Sequence, residues 1–258
     1  MQTPVVRQAP APVLRDGSAE AGRIGLILLA TDLTSERDFA RMVPTDEIGV
    51  YCSRIAYANP TTPENLRKME PDISQAAALI LPGEKLDVVC YSCTAASVVI
   101  GDEEIEASVA RGKPGVPVVT PPAAVRAALS VFNAWKISIL TPYTQETSVP
   151  MARYFVDHGF DVKGLSCFGL EDDRQMARVT ADSIISAARD AMSPESEALF
   201  ISCTALRAAE VVEEIETVIG KPVITSNQAS VWMSLRLVGY DRAIDGFGRL
   251  LRTPLSDE

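Results

Sequence analysis

Two short segments, Tyr91-Ser-Cys-Thr-Ala-Ala and Ile201-Ser-Cys-Thr-Ala-Leu, carry the side chains best suited to chemistry, the thiols of Cys93 and Cys203. Each thiol follows an apolar, β-branched run. Each also precedes a stretch patterned as a helix, Thr94 to Ile100 in one case and Thr204 to Ile219 in the other. A thiol at a strand-to-helix junction lies at the positive end of the helix, beside unpaired N–H groups. The pattern therefore predicts a lowered thiol pKa, reactive thiolate near neutral pH, and a cradle for an anion such as a carboxylate. The other three cysteines, Cys52, Cys90 and Cys167, read as small buried hydrophobes. Cys90 and Cys93 also spell C-x-x-C, but Cys90 falls inside the apolar strand run rather than at a helix start, which argues against a redox pair.

The elements that must position these thiols come from an alternation of short apolar runs and helical stretches, the signature of parallel strands joined by helices. The strand candidates are Ile24 to Ala30, Ile48 to Ser53, Leu86 to Tyr91 and Val116 to Val119, then Ile137 to Leu140, Asp161 to Leu165, Ala198 to Ser202 and Pro222 to Thr225. Sequence similarity runs through both sets in the same order. Arg23-Ile-Gly-Leu-Ile-Leu-Leu answers Lys136-Ile-Ser-Ile-Leu-Thr-Pro, the two Ser-Cys-Thr segments answer each other, and Pro117-Val-Val-Thr answers Pro222-Val-Ile-Thr. An ordered series of matches indicates an internal duplication. The predicted fold is α/β, with two pseudo-twofold-related lobes, each a short four-stranded parallel sheet flanked by helices, and a cleft between them. The expected division is a mobile tail over 1–20, a first lobe of 21–120 plus 226–258, and a second lobe of 121–225.

The chain has 258 residues, enough to bury a core without disulfide staples. Its net charge of -10 repels a phosphate backbone, so nucleic acid is excluded as a partner. The Pro/Ala-rich start lacks an uninterrupted apolar core of a secretory signal, and no run approaches the roughly 20 apolar residues needed to span a bilayer. A cytoplasmic location, without membrane association and with cysteines as thiols, is the expectation. His158 is the only histidine and lies in the turn-like Asp157-His-Gly-Phe, so a Ser-His-Asp triad or a His-based metal site is poorly supplied. Neither a phosphate-binding G-x-x-x-x-G-K-[ST] loop nor a G-x-G-x-x-G after a strand is present. The sequence thus predicts no metal and no cofactor.

With a Cys-Thr after the third strand of each half, the chain resembles the aspartate/glutamate racemase superfamily, and within it the maleate cis-trans isomerase and arylmalonate decarboxylase group. The likeness runs from Arg23 to Leu251. Three segments, Ala30-Thr-Asp-Leu-Thr-Ser-Glu-Arg-Asp-Phe-Ala-Arg, Tyr57-Ala-Asn-Pro-Thr-Thr-Pro-Glu and Thr225-Ser-Asn-Gln-Ala, resemble the ectoine-utilization (EutA) branch of that group. The resemblance implies a cleft closed over a small carboxylate-bearing substrate, with Cys93 as nucleophile or first base and Cys203 as the opposing acid or base. It also implies that Tyr143 hydrogen-bonds substrate. Thr94, Thr120, Thr204 and Asn227 lie at strand ends that would line the same cleft, each with a plain helix cap as the alternative. Where maleate isomerases carry asparagines that grip carboxylates, this sequence has Asp32 and Asp173. A carboxylate repels another carboxylate and attracts an ammonium, so an amine-bearing carboxylate such as an ectoine-derived diaminobutyrate fits better than maleate. Helix N-capping is the equal alternative for both aspartates.

Three functions are compatible with these residues. The first is a racemase or epimerase in which one thiolate removes a proton α to a carboxylate and the opposite thiol delivers one to the far face. The second is cis-trans isomerisation through a covalent Cys93 adduct. The third is a non-catalytic small-molecule receptor, for which paired thiols have no use. A homodimer or higher homo-oligomer is the expected assembly.

Overall fold

A computed structural model describes residues 5–14 and 21–254. Of the tail predicted over 1–20, residues 1–4 and 15–20 lie outside the described residues, and 5–14 are exposed without helix or strand.

The first half runs β1 (Gly22–Leu29), α1 (Ser35–Met42), β2 (Ile48–Ile55), α2 (Pro63–Arg67), α3 (Glu70–Leu79), β3 (Val88–Tyr91), α4 (Thr94–Ile100), α5 (Asp102–Gly112) and β4 (Val118–Val119). After α6 (Pro121–Val131) come β5 (Lys136–Tyr143), α7 (Gln145–Asp157), β6 (Asp161–Leu170), α8 (Asp173–Met176), α9 (Ala181–Ala191) and β7 (Ala198–Ile201). A 3-10 turn (Ala209–Val211), α10 (Val212–Ile219), β8 (Val223–Thr225) and α11 (Ser226–Leu237) complete the second half.

All eight predicted strands are present, and they form two wholly parallel four-stranded sheets of matching order, β2-β1-β3-β4 and β6-β5-β7-β8. The central strands β3 (VVCY) and β7 (ALFI) are buried along their whole length, as strands covered on both faces must be. Most strand ends shift by one to five residues from expectation, and two of the shifts have a plain physical reason. β4 and β8 begin after Pro117 and Pro222, because proline has no N–H for the ladder.

The largest departure follows Cys203. Where a helix was predicted from Thr204, the chain turns irregularly and α10 begins only at Val212. Cys203 itself has a positive φ of 94°, and the carbonyls of Thr204 and Ala205 accept from Asn227 Nδ2 at 2.9 Å and Thr34 Oγ1 at 2.7 Å. Those carbonyls are spent on side chains instead of on helical N–H groups.

Two glycines are required by geometry. Gly101 separates α4 from α5 with φ 101°, and Gly112 lets α5 approach α3 so closely that an added Cβ would sit 2.2 Å from the Ser74 carbonyl. α11 follows the second sheet in sequence yet packs against α1, α6 and β3. Among the described residues no helix is long and apolar enough to cross a membrane.

Candidate functional site

The last residues of β3 and β7 deliver the two Ser-Cys-Thr turns to one chamber. Cys93 and Cys203 both line it, together with Asp32, Tyr143, Asp173 and Thr204 from the sequence-predicted set. About 340 Å³ is unfilled by atoms there, its open side included. Cys93 is the N-cap residue of α4, and its carbonyl accepts from Ser97 N at 3.0 Å and Ser97 Oγ at 2.8 Å. The Ala96 N–H favours the charged form of its thiol. Cys203 Sγ accepts from Ala205 N at 3.3 Å, and the Leu206 N–H and the Tyr143 hydroxyl favour its charged form. A non-glycine residue at φ 94° stores backbone strain of order 1–3 kcal/mol, which the surrounding bonds must hold in place.

The expected lowering of the thiol pKa is corrected by burial. Cys93 and Cys203 are only 6% and 8% exposed. Loss of water pushes the Cys93 thiol far above the ordinary range and the Cys203 thiol up to about 11. The N–H donors pull both down without offsetting the desolvation. Nearby carboxyls add to the rise, Asp32 and Asp173 for Cys93 and Asp173 for Cys203. Both sulfurs are therefore thiols at neutral pH.

The two aspartates differ. Asp32 Oδ1 accepts from the N–H groups of Thr34 and Ser35, each at 2.8 Å, and its Oδ2 from Ser35 Oγ at 2.6 Å, so it closes the start of α1 while facing the chamber. Burial raises its pKa and these hydrogen bonds oppose the rise. Asp173 caps nothing; Asp172 holds that position, accepting from Arg174 N at 2.9 Å. The Asp173 carboxylate instead accepts from Thr31 Oγ1 and from Asn59 Nδ2, the latter at 2.8 Å.

Thr94, Thr120 and Asn227 do not line the chamber. Thr94 Oγ1 donates to Ser226 Oγ at 2.8 Å, Thr120 Oγ1 to Asp102 at 2.6 Å, and Asn227 Nδ2 to Asp38 at 2.7 Å. The other cysteines divide: Cys90 is buried within β3, whereas Cys52 and Cys167 are exposed, because β2 and β6 are the edge strands of their sheets. His158 caps the end of α7, exposed, with Nδ1 2.7 Å from the Tyr154 carbonyl.

Sequence reasoning missed Tyr57, Thr61 and Met176 as lining residues. Tyr57 OH lies 2.7 Å from Thr61 Oγ1, and Met176 Sδ lies 3.9 Å from Cys203 Sγ. The first two belong to a strap after β2 that reaches across to the second half. Thr61 N donates to Glu171 O at 2.7 Å, and Thr147 Oγ1 donates to Thr61 O at 2.8 Å. The signal was the Tyr57-Ala-Asn-Pro-Thr-Thr segment, but an aperiodic loop gives no hint of where it folds.

Comparison with known proteins agrees with this fold. A maleate isomerase of Nocardia farcinica is 25% identical over 241 residues, covering 89% of this chain and 95% of that protein. The structure of a cysteine-to-alanine variant of a Pseudomonas putida maleate isomerase with maleate superposes with a TM-score of 0.83 at 19% identity, covering 91% of this chain and 99% of the other. A cysteine-to-serine variant of the Nocardia farcinica isomerase, bearing a covalently bound succinylcysteine intermediate, superposes at 0.82 with 23% identity, over 90% and 98% of the two chains. The family model described as arylmalonate decarboxylase matches residues 65–251, a span that includes both thiol turns. By that match over most of its length, the chain belongs to the arylmalonate decarboxylase family.

Proposed function

We propose that this protein is a cofactor-independent isomerase acting on a small carboxylate-bearing substrate through Cys93 and Cys203, and that the substrate also carries an amine. One observation carries the reading: two thiols and two carboxyl side chains line one small chamber, and among the described residues no lysine, arginine or histidine lines it. The carboxylate of a substrate then has only neutral donors to bind, backbone N–H groups and the hydroxyls of Tyr57, Thr61, Tyr143 and Thr204. Its ammonium has Asp32 and Asp173. At a few Å each aspartate attracts an ammonium by about 1–4 kcal/mol and repels a second carboxylate by as much.

The chemistry is proton transfer at the carbon α to the carboxylate. The reactive form holds one thiolate and one thiol, and the substrate ammonium offsets the cost of the buried thiolate. The thiolate takes the Cα proton, the electron pair moves into the carboxylate as an enediolate, and the other thiol returns a proton to the opposite face. One S–H bond forms as the other breaks, so the charge of the chamber is conserved. The test is exchange of the Cα hydrogen in deuterated water across a panel of amino acids that includes ectoine-derived diaminobutyrates. Exchange lost in Cys93→Ala and in Cys203→Ala supports the reading; exchange that persists unchanged in both ends it.

The succinylcysteine intermediate of the Nocardia farcinica protein favours a second reading. In it Cys93 adds to an activated double bond, the new single bond rotates, and the thiolate leaves to give the other geometric isomer. Mass spectrometry of enzyme trapped with an unsaturated carboxylate separates the two. A mass added at Cys93 supports addition, and solvent exchange without an adduct supports proton transfer.

A further inference from the structure

We infer that Asn227, with Asp38 behind it, is a positioning pair that sets the Cys203–Thr204 turn and does not touch substrate. The inference rests on Cys203 being one of the two working thiols. Asn227 is 2% exposed and lies outside the chamber lining. Its amide nitrogen uses both protons, one on the Thr204 carbonyl at 2.9 Å and one on Asp38 Oδ2 at 2.7 Å, while its Oδ1 is buried without a partner. An amide that leaves its own carbonyl unpaired is oriented by its two acceptors, and one of these belongs to the residue next to the strained thiol.

The neighbouring residue completes the grip. Ser226 Oγ accepts from Cys203 N at 3.0 Å and from Thr94 Oγ1 at 2.8 Å. The first two residues of α11 therefore hold the backbone on either side of Cys203 and tie it to the turn that bears Cys93. A positive φ at a cysteine persists only where the surroundings over-determine it. The groups facing Asp38 are Asn227 from α11, Glu210 from the 3-10 turn, Asp32 from the loop before α1, and Arg41 on its own helix. Glu210 is itself held by Arg207 at 2.9 Å and Arg41 at 3.4 Å. Burial pushes Asp38 up to about 7, so it exchanges a proton near neutral pH. Once protonated, it no longer offers the amide a charged acceptor, and the hold on Thr204 slackens.

The test is alkylation of the full chain by iodoacetamide, followed at each cysteine by peptide mass spectrometry with Cys93 as internal reference and a melting curve for each variant. In Asn227→Ala the Cys203 rate relative to Cys93 changes by about tenfold. In the parent this ratio shifts between about pH 6 and pH 8, and in Asp38→Asn, which keeps an acceptor but cannot titrate, it is flat. Hydrogen exchange of diaminobutyrate by Asn227→Ala shows a lowered kcat with KM within about twofold. An unchanged ratio in Asn227→Ala, or a raised KM at constant kcat, overturns the proposal. Should Asn227→Ala fail to fold, Asp38→Asn decides, since a ratio that swings as in the parent overturns it equally. Full turnover by Cys203→Ala removes the two-thiol reading, yet leaves the alkylation ratio to judge the positioning.

Discussion

At the residue scale the chamber sets charge against burial, and both can be measured. Because desolvation holds Cys203 as a thiol up to about 11 and Cys93 still higher, alkylation of the ligand-free protein climbs with pH well beyond the ordinary thiol midpoint near 8.5. A profile with both midpoints near 8.5 contradicts the burial. Asp32 offers a sharper probe. Asn at this position keeps an oxygen for the Thr34 and Ser35 N–H groups, so Asp32→Asn retains the helix start while removing a negative charge from the chamber. Its affinity for a dicarboxylate such as maleate rises by about tenfold in calorimetric titration, a change worth about 1.4 kcal/mol. Equal affinity in parent and variant detaches Asp32 from ligand charge selection.

Element by element, the same logic explains what the sequence disclosed. Strands were legible because their apolar runs are short, β-branched and repeated, and the paired Ser-Cys-Thr segments marked the ends of β3 and β7. The turn after Cys203 was not, since its residues suit a helix and only long-range donors, Asn227 and Thr34, divert its carbonyls. Asp172 and Asp173 are adjacent and alike on paper, yet one caps α8 and the other faces the chamber, a choice made by Asn59 and Thr31 far away in sequence. Three segments distant in sequence meet here: Asp38 bonds Asn227, while Thr31 and Asn59 of the strap both bond Asp173.

α11 is secured by a reciprocal cap in which the Thr225 side chain accepts from Gln228 N and the Gln228 side chain accepts from Thr225 N. Thr225→Ala forfeits about 1 kcal/mol and lowers the melting temperature by about 2–4 °C. Gly112→Ala, which forces a Cβ against the Ser74 carbonyl, costs about 1–3 kcal/mol by separating α3 from α5. Calorimetry of both variants checks these values, and a Gly112→Ala protein as stable as the parent contradicts the close approach.

For the whole molecule the buried thiols link stability to alkalinity. Their folded pKa values exceed the unfolded value of about 8.5, so their contribution is complete below that pH. It is lost as pH rises toward about 11, where the unfolded chain has released protons that the folded one retains. The parent thus sheds more melting temperature between about pH 8 and pH 11 than Cys93→Ala/Cys203→Ala does, as scanning calorimetry at stepped pH measures.

The strap from β2 ties one half of the protein to the other by a main-chain bond, Thr61 N to Glu171 O at 2.7 Å. Thr61 also lines the chamber, so a molecule that displaces the strap must break that bond. The Thr61 amide proton is accordingly a clock for the opening of this bond, and its deuterium uptake counts how often it breaks. A ligand that fills the space will slow the clock at Thr61 while leaving amides of the outer helices to tick as before.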